Sequence, residues 1–212
     1  MSHKRAMLVI GGEAPPEDYV KSILPGYSYI CAADSGLDKL IAWNMEPDLV
    51  VGDMDSVKNP SILSNYKNTK LYPIDKDYSD TELALMELIA MGFEYICLVG
   101  GGGGRLDHLL AIRALFERAR GPDEWLSPGG RLLRIGKACN FSCRAGSIVS
   151  VFPLAFGAYS MKSKGLKWPL NGLAWNPGGF GLSNIAVNGR FYVDPGEKPV
   201  LIVLPLDSKG PF

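Results

Sequence analysis

Long apolar runs are missing from this chain. None approaches the roughly 18 residues of a membrane span, so no membrane partner is expected. In the opening MSHKRAMLVIGG the apolar stretch is only about five residues long before its glycines, too short for a secretory signal core, and a cytoplasmic protein is expected. Histidine is scarce: His3 and His108 stand alone, and neither pairs with Cys139 and Cys143 at a zinc-like spacing. Cys31 and Cys97 sit inside apolar, strand-like runs, where a packed reduced thiol is expected. A surplus of positive charge is missing too. Lysine plus arginine and aspartate plus glutamate number 22 each, which removes the bulk attraction of a sequence-independent nucleic-acid binder. No internal repeat or low-complexity segment is present. What remains is 212 residues, 47% apolar and 21% charged, enough for one sizeable core or two small ones.

Residues 1–136 alternate strand-like and helix-like segments. Strands are predicted at 7–10, 27–33, 48–51, 70–74 and 95–99, and helices at 16–24, after Asp34-Ser35, at 83–91 and at 105–119. Ser79-Asp80-Thr81-Glu82 fits a capping box before the third helix, and Gly92 fits its end. Such alternation implies a largely parallel sheet with helices on both faces. The rhythm breaks at Gly121-Pro122 and at Ser127-Pro128-Gly129-Gly130, followed by one more sheet strand at 131–135. Beyond that, short β runs at 147–152, 185–187, 191–193 and 200–204 are separated by turn signals such as Asn188-Gly189. The expected fold class is therefore α/β: an N-terminal, mostly parallel α/β/α sheet domain over 1–137, then a smaller all-β domain over 138–212.

In open α/β sheets, ligands bind beyond the carboxyl ends of the strands. Asp34, Asp53, Asp55, Asp75, Asp77, Asp80, Arg105 and Asp107 all follow a predicted strand or open the next helix. So many carboxylates in one crevice repel one another unless a cation compensates. Mg²⁺ suits them, since it takes oxygen ligands from one or two carboxylates together with substrate phosphates. Asp53 and Asp55, in the turn Gly52-Asp53-Met54-Asp55-Ser56, are the first candidates, although Asp and Ser are also ordinary turn residues. Asp80 joins them, or merely complements a helix dipole. Lys76 could meet a phosphate. The run Gly100–Gly104 can approach a phosphate closely and offers backbone amides with a helix N-terminus behind them. It is neither a Walker A loop nor a dinucleotide fingerprint. Arg105 presents a planar fork to phosphate oxygens, with Asp107 to orient it or to join the metal shell. His108 reads as a capping or packing residue, and Trp43, Trp125 and Trp175 as structural.

The motifs AADSG at 32–36, GDMDS at 52–56, DKDYSDTELAL at 75–85 and GGGGGRLDH at 100–108 resemble, in content and order, those of thiamine pyrophosphokinases. GLKWPL at 165–170 and Ser183-Asn184 are similar to that family's thiamine-binding segments. The resemblance implies a homodimer with an α/β nucleotide-binding catalytic domain and a β-sandwich thiamine-binding and dimerisation domain, its site between subunits. It implies transfer of a diphosphoryl group from ATP to thiamine, with AMP released. Asp53, Asp55 and Asp80 would hold Mg²⁺. Asp34, Lys76, Asp77 and Gly102, Gly103 and Gly104 would surround the polyphosphate, and Arg105 with Asp107 would hold the triphosphate. Trp168 would stack on thiamine, with Ser183 and Asn184 beside it. The chain departs from the family pattern in Ser79, where threonine is frequent, and in Ile185, where glutamate is. A pyrophosphokinase for a pterin alcohol, a non-catalytic thiamine or nucleotide sensor, and a metal-dependent phosphohydrolase are the competing readings.

Overall fold

Apolar strands alternating with short helices build the first half of the computed structural model, which describes residues 4–211. His3 therefore lies outside the described residues. The elements run β1 (Arg5–Val9), α1 (Glu17–Ile23), β2 (Tyr29–Ala33), α2 (Gly36–Ala42), β3 (Leu49–Gly52), β4 (Thr69–Leu71), α3 (Asp80–Ala90), β5 (Tyr95–Val99), α4 (Leu106–Leu115) and β6 (Glu124–Ser127). Val9, Val50, Cys97 and Val99 have no exposed surface. Burial on both sheet faces is what a parallel sheet covered by helices demands, and it explains why these strands read as continuous apolar runs rather than alternating ones. The strand order is β6-β5-β1-β2-β3-β4, and every pairing is parallel.

This order contains a reversal. From β1 the chain steps outward through β2, β3 and β4, then returns to place β5 on the other side of β1. The loops that leave β1 and β5 consequently run side by side, which is the topological switch point where open α/β sheets bind ligands. The capping box of α3 forms as expected, with Glu82 N–H donating to Ser79 Oγ and Ser79 N–H donating to Glu82. Ser35, in contrast, makes no side-chain cap to α2, and Asp34 takes a left-handed φ of 46°. Strand β6 lies in the stretch where turn residues had hidden any strand. It pairs with β5, and Trp125 Nε1 donates to the Gly100 carbonyl at 2.7 Å.

This first unit ends at Pro128 and a second covers Gly129–Phe212. The second contains β7 (Gly130–Ile135), β8 (Cys139–Ser142), β9 (Ile148–Pro153), β10 (Gly157–Ala158), β11 (Lys162–Lys164), β12 (Ala174–Trp175), β13 (Gly181–Ile185), β14 (Arg190–Asp194) and β15 (Val200–Leu204). The run at 131–135, read as a strand of the first domain, is β7, which pairs antiparallel with β15. Within this unit β7, β15, β9 and β13 follow one another in one antiparallel sheet, and β11-β14-β8 form another. Their apolar faces share one core, in which Phe141 and Phe191 stack at 4.9 Å beside Val151, Ile202 and Leu204. Each such side chain contributes about 1.5–3 kcal/mol on burial. The strand predicted at 185–187 is displaced: β13 spans Gly181–Ile185, with a register shift between Gly181 and Asn184. Cys31, Cys97 and Cys139 are buried. No helix among the described residues is long and apolar enough to cross a membrane.

Candidate active site

At the switch point the two glycine-containing loops are joined by backbone hydrogen bonds. Gly101 N–H donates to the Gly11 carbonyl at 2.6 Å, and Glu13 and Gly102 exchange N–H to carbonyl bonds at 2.6 and 2.8 Å. The glycines are needed for this. Gly101 has φ +71°, and a Cβ there would stand 2.4 Å from Ile112 Cδ1. The joined loops form one wall of a cavity of about 930 Å³ whose lining includes Asp34, Lys76, Asp80, Gly103, Arg105 and Arg118.

Three carboxylates meet at the ends of neighbouring elements, two of them, Asp34 and Asp80, in the lining of this cavity. One oxygen from each of Asp34, Asp53 and Asp80 lies within 4.8 Å of the others. Asp34 leaves the end of β2, Asp53 the end of β3, and Asp80 is the first residue of α3. Gly52 permits the approach of the last two: its φ is +147°, and a Cβ would lie 3.1 Å from Asp80 Oδ1. Asp53 N–H donates to Asp80 Oδ1 at 3.2 Å, tying the turn to the helix N-terminus. Asp34 Oδ1 is buried and has no hydrogen-bond partner. A buried acceptor left unpaired is costly, and a cation shared by the three carboxylates would satisfy it. This donor set, all oxygen and all anionic, fits a hard divalent ion such as Mg²⁺.

Lys76 lies on two of these carboxylates. Its ammonium makes a short contact with Asp53 Oδ2 and stands 3.1 Å from Asp80 Oδ1, and its side chain is only 13% exposed. The hydrogen bond from Lys76 holds the Asp53 carboxyl below the usual range, with help from the Asp55 amide, although burial opposes it. Asp80 moves the other way. Burial raises it, and like charge on Asp53 and Asp34 adds to that, so Lys76 offsets the rise only in part. Burial alone would lower the Lys76 ammonium, but its bonds to Asp53 and Asp80 hold it above its ordinary value. One monovalent cation thus leaves Asp80 under-compensated.

The remaining expected residues divide. Asp55 is exposed and outside the carboxylate group; it accepts a bond from Ser56 Oγ at 2.8 Å. Asp77, Gly104 and Asp107 line the cavity, as does His108, which is exposed rather than packed. Gly102 is buried, its backbone engaged with Glu13. Arg105 and Asp107 pair side-on, Arg105 Nε to Asp107 Oδ1 at 3.1 Å, with side chains 72% and 60% exposed. That pairing raises Arg105 and lowers Asp107. Arg118 escaped sequence reasoning. It reaches across 36 residues to Glu82, the capping glutamate of α3, and no local motif marks it.

In the all-β unit a second cavity of about 380 Å³ has predominantly apolar walls, among them Trp168, Leu170, Trp175 and Phe180. Trp168 is 52% exposed, with Lys167 Nζ 4.6 Å from its ring centroid. Asn184 lines the cavity but commits its amide to the backbone: Oδ1 accepts from Trp168 and Ile185, and Nδ2 donates to the Trp168 carbonyl at 2.7 Å. It positions the Trp168 segment. Ser183 is exposed at the β13 irregularity with φ 57°, a strained conformation for a residue with a Cβ. Trp175, read as structural, is 5% exposed and also lines this cavity, its indole N–H buried without a partner.

Residues 20–122 match the family model described as thiamin pyrophosphokinase, catalytic domain. Most of the α/β unit is thus similar to the catalytic domain of thiamin pyrophosphokinases. No curated protein matches it. Among solved structures, a thiamine pyrophosphokinase from Bacillus subtilis is 19% identical with a TM-score of 0.81, the match covering 96% of this chain and 100% of that one. A thiamin pyrophosphokinase family protein from Enterococcus faecalis is 20% identical with a TM-score of 0.80, again over 96% and 100%. Yeast thiamin pyrophosphokinase is 14% identical with a TM-score of 0.69, over 96% and 87%. At these identities the likeness is one of fold. The thiamin pyrophosphokinase catalytic-domain match takes in Asp34, the acidic turn, α3 and the glycine run, and it leaves the second cavity to be argued from its own residues.

Proposed function

We propose that this protein transfers the β,γ-diphosphoryl group of ATP to the hydroxyl of thiamine, giving thiamine diphosphate and AMP, and that it needs Mg²⁺. The observation that carries this reading is the meeting of Asp34, Asp53 and Asp80, of which Asp34 and Asp80 line the same cavity as the glycine loop at the sheet's switch point. Those three carboxylates would hold the ion. Mg²⁺, when bound, neutralises phosphate charge and polarises the phosphorus–oxygen bonds.

The chain's own residues supply alignment. Gly103 and Gly104 allow close backbone approach to the polyphosphate, with the N-terminus of α4 behind them. Arg105, partly held by Asp107, presents its remaining N–H groups to phosphate oxygens. The hydroxyl oxygen of thiamine bonds to the β-phosphorus and gives its proton to water, the bond from that phosphorus to the oxygen it shares with the α-phosphorus breaks, and AMP leaves with that oxygen and its negative charge. Cations and amides aimed at the bridging oxygen lower this barrier most, since charge grows there. Positioning the two substrates in line supplies much of the rest.

The acceptor assignment to thiamine rests on the aromatic cavity of the all-β unit. Trp168 presents an exposed ring face that already accommodates an ammonium, which suits a flat cationic heterocycle. Ser183 offers an exposed hydroxyl on β13. Homodimerisation is part of the proposal, and sedimentation equilibrium measures it. The deciding assay incubates the protein with ATP, Mg²⁺ and either thiamine or a pterin alcohol, then identifies products. Thiamine-dependent formation of AMP and thiamine diphosphate is expected. ADP or free phosphate as the main product, or turnover with the pterin alone, would overturn the proposal.

A further inference from the structure

Lys76 raises a question of exclusion. Its ammonium bridges Asp53 Oδ2 and Asp80 Oδ1, and those same two residues belong to the carboxylate group that fits a divalent ion. Two cations cannot share these oxygens at such distances without strong repulsion. Either Lys76 holds them or a metal does.

The surrounding chain is built for such an exchange. Lys76 lies between β4 and α3, in a stretch anchored at one end by Tyr72 N–H donating to the Gly52 carbonyl at 3.0 Å and at the other by the capping box at Ser79. Among the described residues, no backbone hydrogen bond holds 73–78, and its side-chain bonds are those that Lys76 makes. Ile74 is 74% exposed and Tyr78 47% exposed, so little apolar burial fastens the stretch either. Releasing Lys76 frees the segment at small cost. The same segment lines the cavity with Ile74, Lys76, Asp77 and Tyr78, so a released ammonium stays within reach of an anion bound there.

We infer that Lys76 is an internal counter-cation that competes with the divalent ion for Asp53 and Asp80, and that metal binding unlatches residues 73–78 and frees the ammonium to meet a phosphate. The inference rests on the Mg²⁺ reading of this site. It makes Lys76 a positioning residue whose two partners, carboxylate and phosphate, are exchanged by the metal. An apparent metal affinity lowered by an internal competitor also follows, since the binding-competent arrangement is only part of the population.

The test is Mn²⁺ binding, followed by electron paramagnetic resonance without nucleotide, to the wild type, Lys76→Met and Lys76→Arg, with circular dichroism confirming the fold of each. Lys76→Met is expected to bind Mn²⁺ about tenfold more tightly than the wild type, a usual size for a coupling of this kind. Lys76→Arg, which keeps the charge, is expected to stay near the wild type. Chymotryptic cleavage after Tyr78, mapped by mass spectrometry, should rise with Mg²⁺ in the wild type and be high with or without it in Lys76→Met. Equal or weaker Mn²⁺ binding by Lys76→Met, with the wild type still binding, overturns the exchange and leaves the metal reading standing. Absence of binding in all three proteins overturns both.

Discussion

The two units of this chain differ in charge as much as in fold. Residues 1–128 carry 19 acidic and 12 basic side chains, whereas residues 129–212 carry 3 and 10. A net charge of zero therefore hides two opposite halves. The acidic half concentrates carboxylates around a cavity, where a cation must compensate them. Aromatic and aliphatic walls do the corresponding work in the other half, around a smaller cavity. A lysine sits on the key groups of each: Lys76 on half-buried carboxylates, Lys167 over a half-exposed indole. The first is held by two ion pairs, and the second by a contact that solvent weakens. Averaged composition excludes a uniform polyanion binder, yet it conceals how local the electrostatics are.

The contrast predicts that side chains around the two cavities fail in different ways when removed. Trp175→Ala should destabilise the protein by about 3–5 kcal/mol, because a 5% exposed indole leaves a cavity behind. Trp168→Ala should change stability by less than about 1 kcal/mol while raising the KM for thiamine and leaving that for ATP unchanged. Urea unfolding and steady-state kinetics separate these outcomes, and an unchanged thiamine KM would remove Trp168 from the acceptor site. In the acidic half, Asp53→Asn and Asp80→Asn should each lower kcat by about 10²–10³. Asp34→Asn should behave similarly, and Asp55→Asn should lose far less. Equal losses at Asp34 and Asp55 would show that the carboxylate group is not the metal shell.

A smaller effect is expected at the glycine loop. Gly101→Ala meets both a left-handed φ and Ile112 at 2.4 Å, and should cost about 2–3 kcal/mol. Gly104→Ala has φ +68° but open space around it, so about 1 kcal/mol is expected. Thermal melts rank the two, and the reverse order would contradict the loop packing. The smallest effect lies on α3. Hydrogen bonds from Lys70 and Tyr72 hold the Glu87 carboxyl below its usual value, against burial. A depressed carboxylate stabilises the fold above its unfolded pKa and loses that contribution as pH falls through the folded one. Glu87→Gln should therefore flatten the acid side of the stability profile below about pH 4.5, by less than about 1 kcal/mol because Lys70 is half exposed.

Much of the α/β unit was legible because its signals are local. Strand β5 lies at 95–99 as expected, since five apolar residues between polar neighbours leave few alternatives. The Ser79–Glu82 box needs only four residues to be recognised. Strand β6 was not legible: a four-residue segment among proline and glycine becomes a strand only because β5 offers it a free edge. In the all-β unit the turns were readable but several short strands were not, since pairing partners such as β11 and β14 lie about 30 residues apart in sequence. Asn184, expected beside a ligand, lines the second cavity and also clamps the Trp168 backbone, a contact across 16 residues that no motif records.

Sequence alone determined the alternation of strands and helices, the place of the acids at strand ends, and the glycine run that follows β5, because each depends on residues near one another in the chain. Tertiary structure alone decided which acids meet. Asp34 joins Asp53 and Asp80, while Asp55 faces solvent, because the direction of a carboxylate after a strand depends on backbone angles such as the φ of 46° at Asp34 and 64° at Met54. Only the fold, too, brings Lys76 onto Asp53 from 23 residues away, where like charges gathered by the sheet make a cation necessary.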